Sequence, residues 1–208
     1  MTVCMKRNRP PQKNRSSEQD RGSFRIIGGQ HRSRKLAFIE VEGLRPTTDR
    51  VRETVFNWLA HHVAGASVLD LFAGSGALGF EALSRGAAQA TLIELDKTAA
   101  AMLAENARLL NATVTIVQTN ALDWLDRPGT DTYDLVFIDP PFRKGLATQA
   151  LHKLRHDVRL KPRSLVYLET EQEWQSDGAL QGWQILKEKT AGQVCYRLLE
   201  RITTDFKE

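Results

Sequence analysis

The sequence predicts an α/β protein with a doubly wound, mostly parallel sheet of seven strands that ends in an antiparallel hairpin. Short, continuous apolar runs alternate with helical stretches from residue 67 onward, and a glycine-rich turn follows the first of these runs. After residue 168 the alternation stops, and two extended runs flank Ala191-Gly192. Apolar strands that alternate with helices are typical of a parallel sheet covered on both faces, and the last two runs predict the closing hairpin.

The elements of this sheet can be placed in order along the chain. The first strand is SVLDLF, and a helix follows the glycine-rich turn as far as about Arg85. The second strand is ATLIEL, and helical spacing of apolar residues predicts the next helix from Lys97 to Leu110. The remaining parallel strands are TVTIV, DLVFID and SLVYLE, and the hairpin consists of WQILKEKT and QVCYRLLE.

The first 62 residues precede the sheet domain, which we assign to residues 63–208. Residues 1–22 are polar and basic and contain Pro10-Pro11, so we expect a disordered tail. Residues 23–62 are expected to form a small extension of the sheet domain that contacts the RNA partner inferred below. In it a β-hairpin forms around Gly28-Gly29, and a helix capped by Thr48 or Asp49 follows.

Positive charge is concentrated at two places in the chain. Residues 1–57 contain thirteen Lys/Arg against six Asp/Glu, and residues 143–163 contain seven Lys/Arg opposed by Asp157 alone. Basic clusters beside a neutral or acidic body are typical of proteins that bind a polyanion such as RNA. A solvated tail that only aids solubility is the alternative for the first 22 residues.

Other bulk features exclude several classes of protein. No apolar run reaches the roughly 20 residues that span a bilayer, and no apolar segment follows the basic N-terminus as in a secretory signal. The two cysteines, Cys4 and Cys195, lack metal-ligand spacing. We therefore expect a cytoplasmic protein that has no membrane partner and no metal. We also expect a monomer, because no exposed apolar helix is left over.

The first candidate site is the glycine-rich turn from Asp70 to Gly79, at the carboxyl end of the first strand. Open α/β sheets bind ligands at this end, and glycine lets the backbone approach a ligand closely. Glu94 ends the second strand and could accept hydrogen bonds from a ribose diol. The pattern also matches a dinucleotide fingerprint, but Asp70 would repel a pyrophosphate and suits the ammonium of S-adenosylmethionine. The residues expected at the cofactor here are Asp70, Phe72, Ala73, Gly74, Gly76, Glu94 and Leu95.

The second candidate site is Asp139-Pro140-Pro141-Phe142, which ends the strand DLVFID. An aromatic amine is a poor nucleophile because its lone pair is delocalised into the ring. Hydrogen bonds from its two N–H groups to the Asp139 carboxylate and the Pro140 carbonyl would favour a tetrahedral nitrogen, and the prolines would hold these acceptors in place. Phe142 offers a face on which a flipped-out base can stack. We interpret these four residues as catalytic, with Asp139 also near the cofactor.

A third candidate position is Asn120-Ala121, directly after the third strand. In a doubly wound sheet this loop lies near the adenine of the cofactor, and Asn120 could bond the adenine amino group. Asparagine also favours turns, so an ordinary structural role is the alternative.

These motifs resemble the class I methyltransferase fold, with its glycine-rich first motif, acidic second motif and (N/D)PP(F/Y/W) motif of amino-methyltransferases. The chain resembles, more narrowly, the bacterial RsmD family over about residues 23–200. The segment RPTTDRVRETVFNWL is the most particular part of this resemblance. The segments that carry it are RIIGGQHRSRKL (25–36), RPTTDRVRETVFNWL (45–59), DLFAGSGALGFEALSRGA (70–87), FIDPPF (137–142) and GQVCYRLLE (192–200).

The resemblance implies an activity and a set of site residues. It implies methyl transfer from S-adenosylmethionine, with S-adenosylhomocysteine as product, to the exocyclic N2 of one guanine in small-subunit ribosomal RNA. We expect the RNA to be part of a small-subunit assembly particle, with naked RNA as the alternative. Asp139 to Phe142 would hold the guanine. Arg50 and Arg52 could pair with Asp49, Glu53 or the carboxylate of the cofactor instead of RNA. The residues expected at RNA phosphates are Arg32, Arg34, Lys35, Arg45, Arg50, Arg52, Arg143 and Lys144.

Three other functions compete with this interpretation. Another amino-methyltransferase, acting on adenine, cytosine or a protein glutamine, would use the same Asp-Pro-Pro-Phe turn. A nicotinamide-dependent dehydrogenase fits the glycines but leaves that turn and the basic clusters unexplained. A non-catalytic RNA-binding protein fits the charge but needs neither turn. No segment is long enough for a separate DNA-reading domain, which favours a folded RNA or ribonucleoprotein substrate.

Overall fold

The computed structural model describes residues 21–39 and 48–202 of the chain. The predictions for the tail up to residue 20 and for Arg45 therefore lie outside the described residues. The strands are β1 Arg21–Arg25, β2 Lys35–Ile39, β3 Ser67–Asp70, β4 Gln89–Glu94, β5 Val114–Gln118, β6 Tyr133–Ile138, β7 Leu160–Glu171, β8 Trp183–Ala191 and β9 Val194–Arg201. The helices are α1 Asp49–Trp58, α2 Ala77–Ser84, α3 Lys97–Leu110, α4 Ala121–Leu125 and α5 Leu146–Leu154.

Seven strands form one sheet in the order β5-β4-β3-β6-β7-β9-β8. The strands from β5 to β7 are parallel, and β9 and β8 add to β7 as an antiparallel hairpin. The order of the strands reverses between β3 and β6, and ligands bind beside such a reversal in doubly wound sheets. The predicted α/β class, the seven-stranded sheet and its closing hairpin are confirmed.

Helices cover both faces of the sheet. A buried cluster on one face joins α1, α2, α3 and the N-terminal strands to the sheet, and a second cluster on the other face joins α4 and α5 to it. The helix α3 has the predicted bounds, and Asp96 caps it by accepting from the backbone N–H groups of Thr98 and Ala99 at 2.8 Å each. Thr48 caps α1 as predicted. The helices α4 and α5 were not predicted from the sequence.

The N-terminal hairpin of β1 and β2 packs onto the sheet domain through α2. Glu81 of α2 is fully buried, and its carboxylate accepts the backbone N–H groups of Ile27 and Gly28 at 2.8 Å each. Gly29 has φ +75°, and a Cβ there would lie 1.8 Å from the Ser84 carbonyl oxygen. The strand β1 begins at Arg21, so the first two residues of this hairpin belong to the stretch expected to be a disordered tail.

Among residues 21–39 and 48–202, no helix is both long enough and apolar enough to cross a membrane.

Candidate active site

The glycine-rich turn lies between β3 and α2 and is held to the end of β4. Gly74 and Gly76 have φ of +50° and +78°, values that favour glycine, and Gly76 is the N-cap of α2. Glu94 accepts the backbone N–H of Gly74 at 2.7 Å and that of Asp96 at 2.8 Å. The carboxylate of Glu94 therefore fixes the turn, and it has lone pairs left for a ribose diol.

Asp70 lies beneath this turn with one oxygen engaged and one without a partner. Its Oδ2 accepts the backbone N–H of Gly79 at 3.2 Å, and its buried Oδ1 has no hydrogen-bond partner. Burial, reinforced by the charge of Asp139, raises the pKa of the Asp70 carboxyl to about 7. A cationic group beside Oδ1 would stabilise the ionised carboxylate, so this position fits the ammonium of an amino-acid moiety.

The Asp139-to-Phe142 turn follows β6, the strand next to β3. Pro140 is buried, Pro141 is half-buried and Phe142 is 37% exposed, so the turn has a packed base and an aromatic tip. The backbone N–H of Arg143 donates to the Glu171 carboxylate at 3.1 Å, which fastens the end of the turn to β7. The electrostatic effect of Asp139 on Asp70 is consistent with the predicted meeting of the two turns at one edge of the sheet.

Asn120 caps α4. Its side-chain oxygen accepts the backbone N–H groups of Leu122 at 2.8 Å and Asp123 at 3.3 Å. The side-chain oxygen of Asn120, which could have accepted the adenine amino group, accepts these two backbone N–H groups of α4 instead. The structure thus shows Asn120 as the N-cap of a helix, and its contact with adenine stays a prediction. The side-chain NH₂ is a donor and suits a ring nitrogen of a purine. Ala121 is the first residue of α4 and is buried.

Apolar side chains adjoin the turn and the end of β4. Leu95, directly after Glu94, is 64% exposed, and Phe72 is half-buried. Ala73 is buried, and its backbone N–H donates to the Ile93 carbonyl at 2.9 Å. Leu95 and Phe72 thus offer apolar surface for an aromatic base, whereas Ala73 is a structural part of the turn.

Sequence reasoning missed a buried carboxylate near the end of β7, two residues before its last residue, Glu171. Glu169 is only 5% exposed and accepts the Tyr167 hydroxyl at 2.6 Å. Burial, together with the charges of Glu169 and Asp139, raises the pKa of Tyr167 well above its usual value, so the phenol stays the donor. The sequence carried a signal for this residue, because SLVYLE ends in an acid as do the strands that end at Asp70, Glu94 and Asp139.

The predicted phosphate contacts fall into two groups. The side chains of Arg32, Arg34, Lys35 and Arg50 are exposed on the hairpin and at the start of α1. Arg52 is fully buried, donates to the Arg25 carbonyl at 2.9 Å and pairs with Asp49 at 2.5 Å. The prediction that Arg52 contacts RNA was wrong, and its alternative, a pair with Asp49, is the one observed.

The second basic cluster, residues 143–163, is largely used inside the fold. Arg159, which is 5% exposed, pairs with Asp157, and Arg155 donates to the Gly178 carbonyl at 2.9 Å. The other ion pairs of this cluster lie at the surface and are Lys153–Asp126, Lys161–Asp134 and Arg163–Glu200. Arg143 and Lys144 are exposed next to the Asp139-to-Phe142 turn. This end of the cluster is the part that adjoins the candidate site and has no ion pair among the described residues.

Within residues 21–39 and 48–202, no group of three or more His, Cys, Asp or Glu residues is arranged to hold a metal ion.

The sheet order, with the glycine-rich turn and the Asp-Pro-Pro-Phe turn on neighbouring strands, defines a Rossmann-like class I methyltransferase fold. The family model described as Conserved hypothetical protein 95 matches residues 24–200. Ribosomal RNA small subunit methyltransferase D of Escherichia coli (strain K12) is 49% identical over 181 residues, which cover 86% of this chain and 91% of that protein. The protein of the same name from Haemophilus influenzae is 46% identical over 187 residues, which cover 86% and 95%.

A solved structure gives the same result. The putative methyltransferase yhhF from Escherichia coli superposes with a TM-score of 0.77 at 49% identity, covering 86% of this chain and 98% of that one. The chain therefore belongs to the RsmD family of methyltransferases.

Proposed function

We propose that this protein transfers a methyl group from S-adenosylmethionine to the exocyclic N2 of a specific guanine in small-subunit ribosomal RNA, with S-adenosylhomocysteine as the product. The observation that carries the proposal is the position of the Asp139-to-Phe142 turn on the strand next to Asp70, in a chain of this family. Asp70 is buried, and one of its carboxylate oxygens has no hydrogen-bond partner. We further propose that the protein works in the cytoplasm as a monomer, on RNA within a small-subunit assembly particle. Its membership of a family whose curated members carry ribosomal RNA methyltransferase names supports this substrate.

The residues at the carboxyl edge of β3 and β4 fit S-adenosylmethionine, which supplies a sulfonium methyl group when bound. The partnerless Oδ1 of buried Asp70 suits its ammonium. The Glu94 carboxylate suits the ribose hydroxyls, and Leu95 offers an exposed apolar surface for the adenine. Asn120 and Ala121 border the same edge at the start of α4, where the Asn120 amide can donate to the adenine ring. Gly74 leaves room for close approach, since a Cβ there would have only the Phe72 carbonyl oxygen within 4 Å.

The Asp139-to-Phe142 turn would prepare the amine for methylation. In the proposed arrangement the Asp139 carboxylate accepts one N–H of the amine and the Pro140 carbonyl accepts the other. These two bonds favour a tetrahedral nitrogen whose lone pair is directed at the methyl carbon. The carboxylate is also the acceptor nearest to the proton that the nitrogen releases once its new bond to carbon has formed. Phe142, with its exposed face, would stack on the flipped-out base.

Exposed basic side chains support an RNA substrate. Arg32, Arg34 and Lys35 lie on the exposed side of the hairpin, and Arg143 and Lys144 continue from the Asp139-to-Phe142 turn. Such side chains bind phosphates without regard to sequence and orient a nucleic acid on the protein. In the proposal they hold the RNA while a single base enters the site.

The experiment that tests this function is transfer of labelled methyl groups to ribosomal particles from cells that lack the protein. Small and large subunits are incubated separately with the purified protein and labelled S-adenosylmethionine, and the label in each RNA is counted. We expect label in small-subunit RNA alone. Label in large-subunit RNA, in protein, or in neither subunit would contradict the proposed substrate. An Asp139→Ala variant that bound S-adenosylmethionine and kept full activity would contradict the proposed site.

A further inference from the structure

Glu169 and Asp139 lie on neighbouring strands at the same edge of the sheet, and the charges of both act on the Tyr167 phenol. The strands β6 and β7 are parallel, with Phe137 opposite Tyr167 and Ile138 opposite Leu168. Asp139 comes directly after Ile138, one residue beyond β6, and Glu169 comes directly after Leu168 within β7. If the register continues by one residue, their Cα atoms lie roughly the 4.8 Å strand spacing apart. Phe137 and Tyr167 belong to the same buried cluster on one face, and side chains two residues further along a strand return to that face.

Glu169 is held in a fixed position at this edge. Its Oε2 accepts the Tyr167 hydroxyl at 2.6 Å, and the residue is 5% exposed. A glutamine would accept the same hydroxyl without charge, and a buried carboxylate next to a second one is costly for stability. The cost of placing two acids close together in a buried position makes Glu169 a candidate for contact with the substrate.

The edge of guanine supplies a partner for a second acceptor. The N2 amino group of guanine lies beside N1–H, so the edge presents donors side by side. In adenine and cytosine, the ring nitrogen next to the amino group is an acceptor instead. A carboxylate that faces this ring nitrogen would bond guanine and repel the other two bases, whose lone pairs would be directed at it.

We propose that Glu169 is a specificity-determining residue that accepts N1–H of the target guanine, while Asp139 accepts from its N2 amino group. This inference rests on the proposed function and adds to it the reason for the choice of base. Tyr167 acts as a positioning residue, because its hydroxyl orients the Glu169 carboxylate. The two neighbouring acids thus divide two tasks: Asp139 prepares the nitrogen that is methylated, and Glu169 identifies the ring that carries it.

The analogue 2-aminopurine keeps the 2-amino group but has a lone pair in place of N1–H and a hydrogen in place of O6. Comparison of the wild type with Glu169→Gln then separates the N1 contact from the loss of O6. Small-subunit RNA is prepared with guanine or with 2-aminopurine at the position that the enzyme methylates, and kcat/KM is measured for each. We expect the wild-type protein to prefer guanine by about a hundred-fold or more, because a site that bonds a substrate N–H rejects analogues lacking it. Equal kcat/KM values for the two substrates would overturn the inference without any variant.

The Glu169→Gln variant provides the second arm of the test. Its amide can still accept the Tyr167 hydroxyl, and its NH₂ can donate to N1 of 2-aminopurine. We expect the preference for guanine to fall to about tenfold or less, with the affinity for S-adenosylmethionine unchanged. The control is Glu173→Gln, an exposed carboxylate four residues further along, which should keep the wild-type preference.

The outcomes distinguish this inference from the proposed function. Formation of N2-methylguanosine together with an unchanged preference in Glu169→Gln would overturn the role of Glu169 and leave the proposed function standing. Formation of methylated adenosine by the wild-type protein would overturn both. A collapsed preference in Glu169→Gln, with the Glu173→Gln preference intact, would support both.

Discussion

Acidic residues at the ends of four parallel strands have different surroundings and so different roles. Asp70 has a buried oxygen without a partner, and Glu94 is engaged by two backbone N–H groups. Asp139 begins the rigid turn that contains two prolines, and Glu169 is held by a tyrosine hydroxyl. In the proposed function, similar side chains thus hold a loop, bind the ammonium of the cofactor or accept hydrogen bonds from a base, according to what each one touches.

The surroundings of Asp70 predict how cofactor binding depends on pH. Its pKa in the free protein is raised to about 7, so the carboxyl is protonated below that pH and the ammonium of S-adenosylmethionine must displace the proton. Affinity should therefore rise with pH, by about tenfold between pH 5.5 and pH 7. The α-amino group of the ligand stays charged in this window, since its usual pKa is about 7.7–8.0. Calorimetry in buffers of different ionisation enthalpy would also detect the released proton.

The Asp70→Asn variant is the control for this dependence. It keeps a similar shape but removes the titrating group, so its affinity should be lower and nearly independent of pH over the same range. A wild-type affinity that did not change between pH 5.5 and pH 7 would contradict the proposed contact between Asp70 and the ammonium.

Substitution of Asp139 should affect the reaction far more than cofactor binding. Asp139→Ala removes the acceptor for the amine, and we expect kcat to fall by about 10²- to 10³-fold, as when a preorganised group of an active site is removed. Asp139→Asn keeps a carbonyl acceptor and should lose less. Single-turnover rates, with the S-adenosylmethionine affinity measured on the same samples, would check this. A comparable loss of affinity and of rate would indicate a cofactor-binding role instead.

At the scale of residues, the sequence could predict the acids and glycines that follow strands but not how each one is bonded. The spacing placed Asp70, Glu94 and Asp139 at one edge of a sheet. It could not show that the Asn120 oxygen is used to cap α4, because any asparagine after a strand has both possibilities. The sequence also could not predict the burial of Arg52, because the positions of charged residues in a sequence do not show which arginine has a partner inside the fold.

Among the elements, the N-terminal hairpin depends on α2 for its position. Buried Glu81 bonds the backbone of Ile27 and Gly28 and pairs with Arg85 at 2.7 Å. This clamp keeps the exposed basic residues of the hairpin at a fixed place relative to the site. The hairpin and the sheet thus share one buried cluster although they are separate in sequence.

Removal of the clamp should loosen the hairpin. Glu81→Ala leaves two backbone N–H groups without their acceptor, and we expect a loss of about 3 kcal/mol in the free energy of unfolding. Glu81→Gln keeps one oxygen as an acceptor and should lose less. Chemical denaturation gives the free energies, and hydrogen exchange at Ile27 and Gly28 locates the effect. Unchanged exchange at these two amides in Glu81→Ala would contradict the clamp.

Helices and strands were predictable wherever apolar periodicity was strong. The helix α3 has the predicted bounds, whereas β7 begins at Leu160, four residues before the expected SLVYLE run. The five-residue helix α4 is too short for a periodic signal, and α5 lies inside the stretch that was interpreted by its charge. Its buried Ala147, Ala150, Leu151 and Leu154 have helical spacing that could have revealed it.

At the scale of the molecule, the exposed Lys and Arg side chains that adjoin the proposed site lie on the hairpin and beside the Asp139-to-Phe142 turn. Most of the second basic cluster pairs with acids of the fold or donates to its carbonyls. Sequence counts of Lys and Arg therefore overstated the RNA-facing charge of residues 143–163. The exposed Arg32 and Arg34 of the hairpin are now the strongest candidates for binding phosphates.

A double variant tests this distribution of charge. Arg32→Ala with Arg34→Ala should weaken binding to small-subunit RNA and lower the slope of log affinity against log salt concentration by up to about 1.5, or about 0.7 for each phosphate that is no longer neutralised. Arg163→Ala is the matched control, because Arg163 is an exposed arginine near the start of β7, away from the site edge. Its partner is Glu200 of β9. Equal slopes in the double variant, the control and the wild type would contradict an RNA-binding role for the hairpin.

The most direct test of the central claim is the identity of the methylated nucleoside. Small subunits from cells lacking the protein are labelled with the purified protein and S-adenosylmethionine, and their RNA is digested to nucleosides for mass spectrometry. We predict that the label appears as N2-methylguanosine. Label in N6-methyladenosine would preserve the amine chemistry at Asp139 and contradict the assignment of guanine, and the absence of any methylated nucleoside would contradict the proposed function as a whole.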